Sequence, residues 1–214
     1  MTDQLGTPWH AGDELQILHA VRLAGFADTD AIADRVGRAD ESFHDWLGSL
    51  ERRHLIECMA FADSDGWIIT DAGRARDAEL LQLERQARDS LPVLHTTLDE
   101  FESGINAHLV RVITEWQLRS PTGHAAESGG IVGELTELGR ALSELMRDLT
   151  GRVPRFSRYP RQFSAAVERA RAGDTRWIAG VGLLSCHVVW AELHQDLLSS
   201  AGRERSTTAG ADQS

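Results

Sequence analysis

Three side chains near the C-terminal end of the sequence have types and spacing suited to a binding site. His187, Trp190 and His194 follow at intervals of three and four residues, which places them on one face of a helix. The two histidines are about 10 Å apart along that helix, too far for both to bind one metal ion at ~2 Å. Since no His-x3-His or Cys-x2-Cys pair supplies other ligands, we expect no metal site. The cluster predicts either an aromatic pocket or ordinary core packing.

Other residues of the same half of the chain could contribute to such a pocket. Asn106 and Gln117 lie among apolar residues of a predicted helix, and buried amides need hydrogen-bond partners from the protein or from a ligand. The guanidinium of Arg176 could hold a carboxylate or a phosphate. The candidate ligand-binding residues are Asn106, Trp116, Gln117, Arg176, Trp177, His187, Trp190 and His194. For each of them an internal hydrogen bond or simple packing is the alternative.

Catalysis has little support in the sequence. There is no glycine-rich phosphate loop, no nucleophile elbow and no Cys–His pairing that spacing can establish. Glu192 and Asp196 lie on other helical faces than Trp190, so spacing builds no acid/base dyad with His187 or His194. We expect no catalytic residue and no cofactor. A small enzyme with a His/Trp-lined site is the weakest of three functional hypotheses.

A second group of candidates lies on the outer side of a predicted helix that ends near residue 55. Ser42 and His44 could contact base edges there, and Arg52 and Arg53 lie near the end of the helix. The candidate DNA-binding residues are Arg38, Ser42, His44, Arg52, Arg53 and Arg74.

Charge argues against DNA binding. The chain has a net charge of −11, and residues 1–75 contain 14 acidic residues and six arginines, a net charge of −8. Non-specific affinity for DNA comes chiefly from cationic groups that displace counterions from phosphates. A protein-contact module without DNA is therefore a serious alternative.

The elements that position the second group are predicted from local signals. Helices are expected at 13–23, 28–36 and about 40–55, with a cap at Asp28 and a stop at Gly37. Two β-prone runs, 57–62 and 67–70, flank residues 63–66, whose Asp65-Gly66 pair predicts a tight hairpin turn. Thr70 is expected to cap a further helix.

This arrangement resembles a known class of regulators. Its order of elements is similar to that of winged-helix regulators of the MarR type. The segments that carry the similarity are Leu50-Glu51-Arg52-Arg53-His54-Leu55-Ile56 before the hairpin and Ile69-Thr70-Asp71-Ala72-Gly73 after it. In that family the third helix enters the major groove and the hairpin, called the wing, contacts the DNA backbone. The resemblance covers about 60 residues and implies a winged helix-turn-helix domain at 13–75, after an N-terminal arm at 1–12.

The rest of the chain predicts an all-helical domain at 76–200 and a disordered tail at 201–214. Helices are expected at 93–119, 131–149, 160–172 and 174–199, with a loop at 120–130. This domain resembles helical domains that follow winged helices in uncharacterised actinobacterial proteins labelled transcriptional regulators. The segments that carry the resemblance are Glu115-Trp116-Gln117, Gly173-Asp174-Thr175-Arg176-Trp177 and 187–198.

One stripe in this domain has two interpretations. Apolar residues alternate at spacings of four and three, which suits burial in the domain itself or a two-fold dimer seam. They are Ile131, Leu135, Leu138, Leu142, Leu145 and Leu149.

The expected fold is mainly α, a winged helix-turn-helix followed by an all-helical domain. All 22 basic residues are arginine, as is typical of a GC-rich bacterial genome. No apolar run could span a membrane and no signal peptide is evident, so we expect a cytoplasmic protein. The leading hypothesis is a homodimeric transcriptional regulator that binds DNA and is controlled by a small-molecule effector. The alternative is a module that binds a protein or a ligand, acts on a partner enzyme and has lost DNA binding.

Overall fold

Helices make up most of the structure, and two short strands form a small antiparallel sheet. The structure is a computed structural model that describes residues 11–38, 42–61, 64–118 and 124–203. The elements of the first half are α1 (Ala11–Ala24), α2 (Thr29–Val36), α3 (Ser42–Arg52), β1 (Ile56–Phe61), β2 (Ser64–Ile69) and α4 (Asp71–Arg88). The elements of the second half are α5 (Leu91–Glu100), a π turn (Phe101–Ile105), α6 (Asn106–Gln117), α7 (His124–Leu145), α8 (Arg147–Arg152), a 3-10 helix (Pro154–Ser157), α9 (Arg158–Arg171), α10 (Arg176–Ala179) and α11 (Cys186–Ala201). The expected arm at 1–10 and most of the expected tail, 204–214, lie outside the described residues.

Each half has its own apolar core. The first core extends from Leu15 to Leu81, so α4 contributes to it beyond residue 75. The second core extends from Leu94 to Ala201. Helix α11 joins the two, because it packs on α5 and α9 in the second half and on α1 and α4 in the first. Among the described residues, no helix is both long enough and apolar enough to cross a membrane.

The helix ends of the first half follow the local signals in the sequence. Asp28 caps α2 by accepting a hydrogen bond from the backbone N–H of Ala31 at 2.7 Å. Gly37 ends that helix in the left-handed conformation, with φ at 71°. Thr70 caps α4 by accepting from the N–H of Gly73 at 3.0 Å. The predicted caps and stop are confirmed.

The predicted position of the hairpin turn is wrong. Phe61 pairs with Ser64 and Met59 pairs with Gly66, so Asp65-Gly66 belongs to β2; residues 62 and 63 lie outside the described residues. Gly66 instead makes room for a side chain, because a Cβ at this position would lie 2.5 Å from the ring of Phe26. The glycine permits Phe26 to lie against the strand, a tertiary contact that the local sequence does not reveal.

Three predicted boundaries in the second half are also wrong. The helix expected at 93–119 is interrupted by the π turn, in which the N–H of Asn106 bonds to the carbonyl of Phe101. A loop is expected at 120–130, but residues 124–130 of it are helical and form the start of α7. The helix expected at 174–199 is broken at 180–185: Gly180 ends α10 in an extended conformation, with ψ at 147°, and Ser185 caps α11 by accepting from the N–H of Val188.

The apolar stripe of α7 and α8 is buried inside the chain. Its residues belong to the second core, and Leu145 alone of the six is only half buried. They pack against α9 and α6 of the same chain. In this conformation the stripe stabilises its own domain and does not offer a free seam to a second copy.

Candidate functional site

Charged side chains are buried where the two halves of the chain meet. Asp196 of α11 has no exposed surface, and His19 of α1 and Asp77 of α4 are each about 2% exposed. Arg155 of the 3-10 helix and Tyr159 of α9 complete this group, which we call the junction cluster. Buried charges are tolerated only when they are paired and hydrogen-bonded, so the partners of each group decide what the cluster can do.

Asp196 is the centre of the junction cluster. Its carboxylate accepts two hydrogen bonds from Nη1 of Arg155 at 2.8 Å, one from the hydroxyl of Tyr159 at 2.7 Å and one from Ser200 Oγ at 2.8 Å. Burial alone would raise the pKa of Asp196, but the positive charges of Arg155 and His19 outweigh burial and hold that pKa well below 3.8. Asp196 is therefore ionised at neutral pH.

His19 bridges two carboxylates. Its Nδ1 lies 2.9 Å from Oδ1 of Asp77 in a hydrogen bond, and its Nε2 lies 3.1 Å from Oδ1 of Asp196. The second contact is electrostatic, because Nε2 is not aligned for a hydrogen bond. Burial lowers the pKa of His19, but Asp196 and Asp77 together overcome that effect and raise it above 6.5. A protonated ring fits this site, because both of its N–H groups then face carboxylates.

Further ion pairs join the halves around the junction cluster. Arg35 of α2 donates from Nε to Oε1 of Glu192 on α11 at 2.9 Å. Arg155 also donates to Glu84 of α4 at 2.9 Å. Arg158 donates to the backbone carbonyl of Arg35 at 3.2 Å. These contacts fix the orientation of the first half on the second.

The junction cluster is not evident from helical spacing. Spacing places Glu192 and Asp196 away from Trp190, and in the structure both contact side chains of the first half of the chain. A signal was present: the two acids are one helical turn apart and alternate with the buried residues Val189, Leu193 and Leu197. Carboxylates at such positions need cationic partners. The sequence could not tell which cations they would meet.

The predicted ligand-binding residues do not meet in one pocket. Trp190 is 3% exposed, and its ring centroid lies 5.0 Å from that of Phe101 and 5.5 Å from that of Phe163. Its indole N–H donates to Oδ1 of Asn106 at 3.0 Å. The indole N–H of Trp190 and the side-chain oxygen of Asn106 thus satisfy each other, so an internal hydrogen bond accounts for this pair without a ligand. Trp116 is likewise buried in the second core.

The two histidines of α11 face different surroundings. His194 contacts the carboxylate of Glu102 at 2.8 Å and the ring of Phe101 at 5.3 Å. His187 is exposed and lines a cavity together with Phe26 and Val181. The shared helical face therefore does not make a shared site.

The remaining predicted ligand residues lie on the surface. Arg176 pairs with Asp174, which lowers the pKa of that carboxyl to about 2. Trp177 is half buried beneath the guanidinium of Arg169, 4.1 Å from the ring centroid. Gln117 is exposed at the end of α6. Arg176 thus has a carboxylate partner of its own and does not line a cavity with the other residues of the set.

The candidate DNA-binding arginines are mostly engaged within the chain. Arg38 contacts Asp13 at 2.8 Å and lies over the ring of Trp46, 4.1 Å from its centroid. Arg53 contacts the buried carboxylate of Glu14 at 2.8 Å. These pairs lower the positive charge that the two side chains present to an outside partner.

The other DNA-binding candidates are more accessible. His44 and Arg52 are exposed on α3, and Ser42 is half buried. Arg74 is exposed and pairs with its neighbour Asp71 at 3.4 Å. Within the described part of the chain, Arg52 has no carboxylate partner. The same surface also carries exposed carboxylates, namely Asp45 and Glu51 on α3, Glu57 on β1 and Asp65 on β2.

Comparisons with protein-family models, with curated proteins and with solved structures found no match to this chain. Within the described ranges, no three His, Cys, Asp or Glu side chains are grouped so that they could hold a metal ion.

Proposed function

We propose that the chain is a bacterial transcriptional regulator that binds DNA through a winged helix made of α1, α2, α3 and the β1–β2 hairpin. One observation carries the proposal: α3 buries Phe43, Trp46, Leu47 and Leu50 on one side and presents an open outer side beside the hairpin. A helix held from behind and flanked by a hairpin is the geometry with which winged helices enter the major groove.

The outer side of α3 contains groups that suit this role. His44 can donate to or accept from base edges, and Arg52 can donate to guanine or to phosphate. Arg38 and Arg53 would contribute by exchanging their carboxylate partners for DNA phosphates, which weakens their net effect because the intramolecular pairs must first break. The proposal therefore expects modest affinity per protomer, and a dimer that meets two half-sites would increase it.

The second half is the regulatory part in this proposal. The junction cluster ties α11 and the 3-10 helix to α1 and α4, so a change in the second half would alter how the first half is held. The proposal therefore includes an effector that acts through this contact. It also includes a cytoplasmic location, where the protein has access to the chromosome.

DNA binding can be tested with the fragment upstream of the protein's own gene. Fluorescence anisotropy at low salt should show saturable binding, and Arg52→Ala should weaken it about tenfold. Arg140→Ala is the matched control, because Arg140 is an exposed α7 arginine that pairs only with Glu137 among the described residues. Equal weakening by both variants, or no binding to any upstream fragment, would count against the proposal.

A second function is favoured by the charges on the same surface. Arg38 and Arg53 are held by carboxylates, and Asp45, Glu57 and Asp65 are exposed around α3 and the hairpin. An acidic face of this kind suits a basic protein partner better than it suits DNA. This alternative predicts that Asp65→Arg abolishes binding of an identified partner protein, whereas the DNA proposal predicts that Asp65→Arg strengthens DNA binding.

A further inference from the structure

A cavity of about 240 Å³ lies beside the junction cluster, between the two halves of the chain. Helices α1 and α2 form one wall, and the 3-10 helix and α9 form the other. An occupant would therefore contact both halves at once. The lining residues are Gln16, His19, Arg35, Val36, Pro154, Arg155, Ser157, Arg158 and Arg161.

The lining of this cavity is cationic. It contains four arginines and one histidine but no carboxylate, in a chain whose net charge is −11. Asp196 is shared by three cations of the lining, Arg155 at 2.8 Å, His19 at 3.1 Å and Arg158 at 3.7 Å. Arg155 and His19 have second carboxylate partners in Glu84 and Asp77.

The carboxylates around the cavity do not fully neutralise its positive charge. Arg161 donates to the backbone carbonyl of Ser157 at 3.2 Å and has no carboxylate partner among the described residues. Around the cavity and the junction cluster, six cations therefore face four carboxylates, which leaves two positive charges uncompensated. The cations are Arg22, Arg35, Arg155, Arg158, Arg161 and protonated His19, and the carboxylates are Asp77, Glu84, Glu192 and Asp196.

The ring of His19 also lines the cavity. Its Nε2 faces Asp196 at 3.1 Å, so His19 adds positive charge to the lining and is held in place by the protein itself. The volume of the cavity, about 240 Å³, suits a small metabolite.

We propose that this cavity binds a small phosphorylated metabolite through Arg158 and Arg161, on the wall opposite Arg35, whose own charge is paired with Glu192. A phosphate monoester carries close to two negative charges at neutral pH and matches the two uncompensated positive charges. Its three oxygens accept from several guanidinium groups at once, which a single carboxylate does less well. Binding itself is independent of the proposed function, whereas an effect of the metabolite on DNA binding rests on it.

Isothermal titration of the full chain tests the site, with inorganic phosphate and glycerol phosphate as probes and succinate as the dicarboxylate comparison, all at constant ionic strength. Saturable binding of one phosphate compound per chain is expected. Arg161→Gln should weaken it about tenfold or more, since a charge-assisted hydrogen bond is lost. Gln16→Glu should abolish it by placing a carboxylate in the cavity, and Arg140→Gln on α7 should leave it unchanged.

Several results would overturn the site. Absence of saturable heat at millimolar concentrations of both phosphate compounds would do so, as would equal weakening by Arg161→Gln and Arg140→Gln. Tighter binding of succinate would overturn the assignment to phosphate. Melting temperatures of the variants show whether each is folded, and Arg161 is exposed, so its replacement should not disturb the core. Because no DNA is present, failure here leaves the DNA proposal standing, and failure of DNA binding leaves this site standing.

Discussion

Replacing Asp196 by asparagine tests whether the junction cluster holds the two halves together. The substitution keeps the shape of the side chain and removes its charge. Among the described residues, Arg155 would then retain only Glu84 as a carboxylate partner, and His19 would retain only Asp77. Breaking a buried ion pair by removing one partner destabilises a protein by about 3–5 kcal/mol.

The size of this effect makes it measurable by urea unfolding. With a slope of about 2 kcal/mol per molar urea, the unfolding midpoint of Asp196→Asn should fall by about 1.5–2.5 M. Asp174→Asn is the matched control, because Asp174 is paired with Arg176 on the surface and should leave the midpoint unchanged. A fall of less than about 0.5 M in Asp196→Asn would refute the central place given to this carboxylate.

The remaining predictions concern pH and one close contact. The pKa of His19 is raised on folding, so its contribution to the free energy of unfolding is fully present below pH 6.5 and is lost as the pH rises through the folded value. Urea midpoints of the wild type should decrease over that range, and His19→Gln should remove this decrease; an unchanged pH profile in His19→Gln would contradict the raised pKa. Gly66→Ala should destabilise the chain by about 1–3 kcal/mol, because the new methyl group meets the ring of Phe26 at 2.5 Å. Phe26→Leu in the Gly66→Ala background should recover part of that loss in thermal unfolding, and a Gly66→Ala variant as stable as the wild type would show that the ring is free to move away.

The features that sequence predicted well depend on near neighbours. Asp28, Gly37 and Thr70 act on backbone groups three or four residues away, so their types alone indicate helix ends. The inward face of α3 follows in the same way from helical periodicity, because Phe43 and Leu47 are one turn apart.

The features that sequence missed depend on distant partners. The Asp65-Gly66 pair is a strong local signal for a turn, but Gly66 lies in β2, where it packs against the ring of Phe26, a residue distant in sequence. The candidate site shows the same limit, since His19 and Asp196 come from opposite ends of the chain and meet only after both halves have packed. Trp190 was a reasonable pocket candidate until Asn106 proved to satisfy it.

The measurement that tests the proposed function most directly is a salt titration of the wild-type chain with its own upstream DNA. If α3 and its neighbouring arginines contact phosphates, the logarithm of the binding constant should fall linearly with the logarithm of salt concentration, with a slope of about −2 to −4 per protomer. We expect binding at low salt with that slope, and a shallower slope in Arg52→Ala. Absence of binding at low salt, or binding that salt does not weaken, would contradict it.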